Sequence, residues 1–150
     1  MNADLGLTMK LIKEADEVKE LLVSFGDVFP NLKGRIRSYD EFSEKLASYA
    51  NVYVCLKENS PCGLLVYYSN DTSSKTAYIS LIGVLEEYRG ISVGKFMLDW
   101  CMYNSSIVGM STVKLEVELN NENAIRFYKR NGFFQCSVPV EGRVYMSRKI

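Results

Sequence analysis

Val84-Leu85-Glu86-Glu87-Tyr88-Arg89-Gly90-Ile91-Ser92-Val93-Gly94-Lys95 joins two segments of different hydrophobic period. Before it, Tyr78 to Val84 is a run of strand-forming residues. After it, Phe96, Met97, Trp100, Cys101 and Ile107 recur at helical spacing until Gly109, so these five are expected inside. Small residues at a strand-to-helix turn let backbone amides converge on one point. The free amides and the positive end of the helix dipole then favour an anion, most often a diphosphate, with Arg89 and Lys95 adding charge beside it. On its own residues the turn stays open between a phosphate cradle and a tight turn that needs two glycines. Neither nucleotide fingerprint fits. A Walker loop needs its first glycine at another distance and Ser or Thr after the lysine, where Phe96 stands, and Gly90 and Gly94 do not match G-x-G-x-x-G.

Working outward, Leu7 to Ile12 reads as a strand, and Val18, Leu21, Leu22 and Phe25 mark an amphipathic helix over Glu14 to Phe25. Gly26, Pro30 and Gly34 break the pattern, leaving residues 26–37 as a loop. Ser38 with Glu41 is a capping box that opens a second helix through Phe42, Leu46 and Tyr49. Asn51 to Lys57 and Gly63 to Tyr68 form a hairpin across Asn59-Ser60-Pro61. Val113, Leu115, Val117 and Leu119 alternate with Lys114, Glu116 and Glu118. A short helix runs from Asn123 to Lys129, and Phe133 to Val138 and Arg143 to Lys149 are the last strands. The order β-α-α-β-β-β-α-β-α-β-β predicts an α/β (α+β) fold with a mixed sheet layered by helices.

Composition narrows the function. One hundred and fifty residues, 47% apolar and 24% charged, suit one domain over 1–150. Eighteen basic residues balance eighteen acidic ones, so no net field draws nucleic acid or anionic lipid as a partner. Histidine is absent, which removes His triads, His metal sites and histidine bases. Proton chemistry falls to Glu, Asp, Tyr, Lys or Cys. Cys55, Cys62, Cys101 and Cys136 form no C-x-x-C pair and read as buried free thiols in a reducing cytoplasm, with no metal site. No apolar run reaches membrane-spanning length and no leader pattern opens the chain, so a soluble, cytoplasmic protein is expected.

At this point the residues carry a resemblance. Val84 to Gly94 resembles the acyl-CoA-binding motif of the GNAT superfamily of N-acetyltransferases, [QR]-x-x-G-x-[GA], with Ser92 in place of the usual central glycine. Some thirty residues on, Leu115-Glu116-Val117, Asn121, Ala124, Ile125, Tyr128 and Asn131-Gly132-Phe133 resemble the family's second motif. The resemblance implies the GNAT fold, a central mixed, twisted sheet of about seven strands flanked by about four helices. It also implies acetyl-CoA as acyl donor, and a small-molecule or protein amine as acceptor by direct attack in a ternary complex. Homodimers are common in the family. In such proteins the strand before the cradle splays from its neighbour and pairs with the pantetheine arm. That role carries to Ile82, Gly83 and Val84, the diphosphate role to Arg89, Gly90, Ile91, Ser92, Val93, Gly94 and Lys95, and a place beside the cofactor to Asn121. The amide near Val84 would polarise the thioester carbonyl.

Acetylating an amine poses two proton problems: the ammonium must lose a proton, and the departing thiolate gains from receiving one. Tyr128 matches the family tyrosine and is the candidate general acid; the plainer reading packs it against Ala124. Glu116 is the candidate base, because its spacing to Asn121 and Tyr128 resembles the ribosomal-protein N-terminal acetyltransferase branch. Glu118 shares its face and stays a rival, as does water. The plainer reading is a polar strand face with Lys114 as partner; Lys33, Arg35 and Arg37 could meet an acidic acceptor, but a solvated loop is the plainer reading for them too. Two other readings remain at this level: an acyl-CoA-binding GNAT module without turnover, and a nucleotide-binding domain using the same cradle.

Overall fold

Alternation and helical stripes translate into one sheet covered on both faces. The computed structural model describes residues 6–150, so the first five residues of the expected domain lie outside it. Its strands are β1 (Leu7–Leu11), β2 (Asn51–Lys57), β3 (Ser60–Tyr68), β4 (Thr76–Val84), β5 (Thr112–Glu118), β6 (Phe134–Gln135) and β7 (Arg143–Lys149). The helices are α1 (Ala15–Ser24), α2 (Tyr39–Tyr49), α3 (Val93–Ile107) and α4 (Glu122–Arg130). The sheet order is β1-β2-β3-β4-β5-β7-β6. Only β4 and β5 pair in parallel, through the α3 crossover; every other neighbouring pair is antiparallel. This is the seven-stranded mixed sheet with four helices that the sequence leads one to expect.

β3 shows why both faces are covered. Its residues Cys62 to Tyr67 are all buried, and successive side chains point opposite ways. Leu64 and Val66 join Val18, Leu22, Phe25, Leu46 and Val52 in one apolar layer, under α1 and α2. Leu65 and Tyr67 join Met97, Leu98, Cys101, Leu115 and Met146 in the other, which includes the inner face of α3. The Ser38 hydroxyl accepts the Glu41 amide at 3.0 Å, so the expected cap starts α2.

Three expectations need correction. Ile107 is 63% exposed rather than inside. The buried stripe of α3 runs Leu98, Cys101, Met102, Ser105, and a residue two places beyond Ser105 points about 200° away. The expected strand 133–138 shrinks to Phe134–Gln135. Past Cys136 the Ser137 hydroxyl takes the Tyr145 amide at 2.9 Å, and Pro139 has no amide to offer the ladder. Cys136 is exposed, while Cys55, Cys62 and Cys101 are buried free thiols. No described helix is long and apolar enough to cross a membrane.

Candidate functional site

The parallel pair β4–β5 holds only from Thr76–Ile79 against Thr112–Leu115. Beyond it the strands part company. Ile82, Gly83 and Val84 continue on Leu65, Leu64 and Gly63 of β3, while Glu116, Val117 and Glu118 continue on Tyr145, Val144 and Arg143 of β7. The parting coincides with a bulge. Val66 pairs with Leu81 and Tyr67 with Ile79, so Ser80 is the extra residue in β4. A bulge bends its strand, which turns the end of β4 away from β5 and leaves the facing main-chain groups of both strands unpaired with each other.

A cleft of about 820 Å³ opens at this split. Ile82, Gly83 and Val84 line it, then Arg89, Gly90, Ser92, Val93, Gly94 and Lys95, with Asn121 and Tyr128 across from them. These are the sequence-predicted residues except two: Ile91 and Glu116 do not line it. Tyr88, Asn123, Ala124, Phe127, Arg130 and Asn131 do, and went unassigned. For the α4 residues a signal was available, because 123, 127 and 130 recur at four- and three-residue spacing just as 124, 128 and 131 do.

The floor of the cradle is the start of α3. The first ladder bond is the Phe96 amide to the Ser92 carbonyl at 3.0 Å, so the amides of Val93, Gly94 and Lys95 precede the ladder. Gly90 and Ser92 both take left-handed backbone angles, φ of 83° and 69°. Ser92 is thus a non-glycine residue in a region that favours glycine, and its hydroxyl makes no capping bond. Ser92→Gly is therefore expected to raise stability by about 1 kcal/mol by relieving the Cβ–carbonyl crowding, read as a higher Tm without ligand. A lower Tm would show instead that the serine holds the turn. At Gly94 a Cβ would stand 3.0 Å from Phe127 Cζ, so a side chain there would press α4 outward. The two neighbouring cations have local partners: Arg89 Nε donates to the Val84 carbonyl at 3.2 Å, and Lys95 pairs with Asp99 at 2.9 Å.

On the opposite wall, Asn121 accepts the Ala124 amide at 3.2 Å and also lines the cleft, so capping and cleft roles coexist. Tyr128 is 9% exposed, between the rings of Phe127 and Phe133. Burial pushes its phenol up to about 12, so the proton stays on at neutral pH. Its hydroxyl has no partner among the described residues, although it is not sealed off. A buried tyrosine hydroxyl usually finds a partner; this one faces a cleft.

The carboxylates lie on the other face of the sheet, because Val113, Leu115 and Val117 take the inner face of β5. Glu116 does not pair with Lys114, which sits 4.4 Å over the Tyr145 ring. It pairs through Oε1 with Arg35 at 3.4 Å and Arg143 at 3.7 Å. Arg143 also reaches Glu118 at 3.8 Å, and Asn31 donates to Glu118 at 3.1 Å. Arg35 therefore leaves the solvated-loop reading and bridges to β5. The same loop rests on β4: a Cβ at Gly83 would sit far inside van der Waals contact distance of Val28 Cγ1 and 2.8 Å from Phe29 Cζ. Gly83→Ala is expected to cost about 1–3 kcal/mol of stability by lifting Val28 and Phe29, measured as the fall in chemical-denaturation ΔG. An unchanged ΔG would mean that the loop yields freely.

Comparison with known proteins agrees with this architecture. The acetyltransferase (GNAT) family profile matches residues 16–133. A Drosophila melanogaster protein named "Probable N-acetyltransferase san" is 26% identical over 124 residues, 74% of this chain and 67% of that one. The ribosomal-protein-S18-alanine N-acetyltransferase of Escherichia coli superposes with a TM-score of 0.77 at 16% identity, covering 96% of this chain and 94% of that one. Arabidopsis thaliana NAA60, solved with acetyl-CoA, gives 0.74 at 19%, covering 96% and 98%. With a profile match over most of its length, a sheet split beside an amide-lined cleft and a tyrosine on the cleft wall, this chain belongs to the GNAT family of acetyltransferases.

Proposed function

We propose that residues 1–150 form one acetyltransferase domain that moves the acetyl group of acetyl-CoA to a primary amine by direct attack in a ternary complex. The split of β4 from β5 above the cleft carries this reading, because it gives an amide-rich arm an unpaired strand edge next to an anion cradle. At about 820 Å³ the cleft is in the size range of cofactor sites. The amides before the α3 ladder suit the diphosphate, and the strand edge of Ile82, Gly83 and Val84 suits the pantetheine amides.

The acceptor reaches the thioester from the other face. Glu116 takes the ammonium proton, leaving a free amine to attack the carbonyl carbon. The Val84 amide holds the oxyanion while the C–N bond forms and the C–S bond breaks. Tyr128 donates a hydrogen bond to the departing sulfur, which leaves as the thiolate and takes up the proton shed by the new amide nitrogen. That Tyr128 keeps its proton at neutral pH and has no competing partner supports this role. Free buried thiols support a reducing, cytoplasmic location.

Thermal melts with acetyl-CoA, CoA, NAD and ATP, followed by thiol release over an amine panel, test the proposal. A ligand at about a hundred times its Kd adds about 2.7 kcal/mol, so a shift with both CoA compounds alone supports the cleft. Equal shifts with NAD or ATP would return the site to a general diphosphate cradle.

A further inference from the structure

The loop 26–37 crosses the split on the acceptor face. At one end Val28 and Phe29 press on Gly83 of β4; at the other Asn31 and Arg35 hold Glu118 and Glu116 of β5. The four charges at its far end are balanced, two arginines against two glutamates, and they are unequal in burial. The Glu116 side chain is 22% exposed and Arg143 32%, whereas Arg35 is 54% exposed on a loop. Both guanidiniums come nearest to a single oxygen, Glu116 Oε1, and Oε2 accepts no hydrogen bond among the described residues. The free oxygen is the place for an incoming ammonium.

Adding that cation would leave three positive groups around two carboxylates. The cheapest correction is for the more exposed Arg35 to swing from Glu116, which frees its guanidinium for another anion. An acceptor that brings a carboxylate next to its amine supplies one. A guanidinium binds a carboxylate with two parallel hydrogen bonds, and the new pair replaces a single 3.4 Å contact. The loop's polar contacts to β5 are exposed and weak, so exchanging partners there costs little. An amine and a carboxylate close enough to reach Glu116 and Arg35 together, which stand 3.4 Å apart, are neighbours in a small amino acid.

From this arrangement we infer that the acceptor is a small amino carboxylate, its amine on Glu116 Oε2 and its carboxylate on Arg35. The inference rests on the proposed role of Glu116, and Arg35 acts as a specificity residue rather than a catalytic one.

The test pairs each of glycine, β-alanine and γ-aminobutyrate with its primary amide, so that only the anion changes. Thiol release is followed for both members, and binding to the CoA-loaded protein is measured by calorimetry, independently of turnover. For the best pair, KM and Kd are expected to favour the carboxylate by about tenfold or more, the scale of one hydrogen bond to a charged group. Arg35→Gln should collapse that preference to about twofold, and Arg35→Glu should reverse it in favour of diamines, both with an unaltered CoA melt as the check on folding. Turnover without preference, or a preference that survives Arg35→Gln, overturns the inference and leaves the acetyl transfer standing. Preferential binding without turnover sustains Arg35 as the anion contact and overturns the catalytic reading. Neither binding nor turnover of any pair, with peptides bearing a free N-terminus accepted instead, overturns the small-acceptor inference alone; with no amine accepted, both fall.

Discussion

Tyr128→Phe is expected to lower kcat by about 100-fold, the lower end of what a positioned proton donor contributes. Phenylalanine keeps the ring that packs between Phe127 and Phe133 and removes only the hydroxyl. Stability and the melt shift with acetyl-CoA should therefore stay close to those of the parent. Separating kcat from ligand binding is what distinguishes catalysis from packing. A phenol raised to about 12 is a weaker acid than an ordinary thiol near 8.5, so its contribution is a hydrogen bond to sulfur as negative charge develops there. Any activity pH profile should accordingly show no tyrosine ionisation up to pH 10. Activity within a few-fold of the parent would return Tyr128 to the apolar layer.

The second large effect is on stability in alkali. Burial raises the thiol of Cys101 to about 12 and the phenol of Tyr128 to about 12, and it raises Cys55 and Tyr67 further in the same direction. For each, the folded state keeps a proton that the unfolded chain gives up. These groups therefore leave stability untouched below the unfolded values, 9.0 for cysteine and 10.0 for tyrosine, and reduce it as pH rises from there toward the folded values. Each group lowers ΔG of unfolding by about 1.4 kcal/mol per pH unit inside its window. Denaturant melts should give a flat ΔG from pH 7 to about 8.5 and a steep fall above pH 10, large against a typical total of about 5–15 kcal/mol. Cys101→Ala removes one proton from the slope, and an unchanged slope in that variant would show that Cys101 ionises freely in the folded protein.

Much of the cleft was legible because its parts are local. The turn from Arg89 to Lys95 and the helix holding Asn121 to Tyr128 each carry their geometry within a few residues, so two short motifs that resemble a known family were enough to point to them. The substitution at position 92 was also visible, but not its consequence. Only the backbone shows Ser92 in the left-handed region, which makes the serine a matter of strain as well as of bulk in the turn. The α4 residues Asn123, Phe127 and Arg130 share a helical spacing that was visible in the sequence, but that the cleft lies against them is seen only in the fold.

Glu116 shows the limit of local reading. Alternation put it correctly on the polar face of β5, and proximity in sequence suggested Lys114 as its partner. In the fold, Lys114 lies on the Tyr145 ring, and the partners come from a loop some eighty residues earlier and from β7. Strand neighbours i and i+2 share a face but stand well apart, whereas cross-strand and loop contacts come closer.

The sequence by itself determined the period of most elements, the absence of histidine chemistry and, through its two motifs, the family, since these depend on residue type and short-range spacing. Tertiary structure alone decided where β4 leaves β5, which loop spans that gap, and which arginines meet Glu116. Those outcomes depend on a bulge at Ser80 and on contacts between segments remote in the chain, where packing and charge pairing choose among partners that local spacing leaves equivalent.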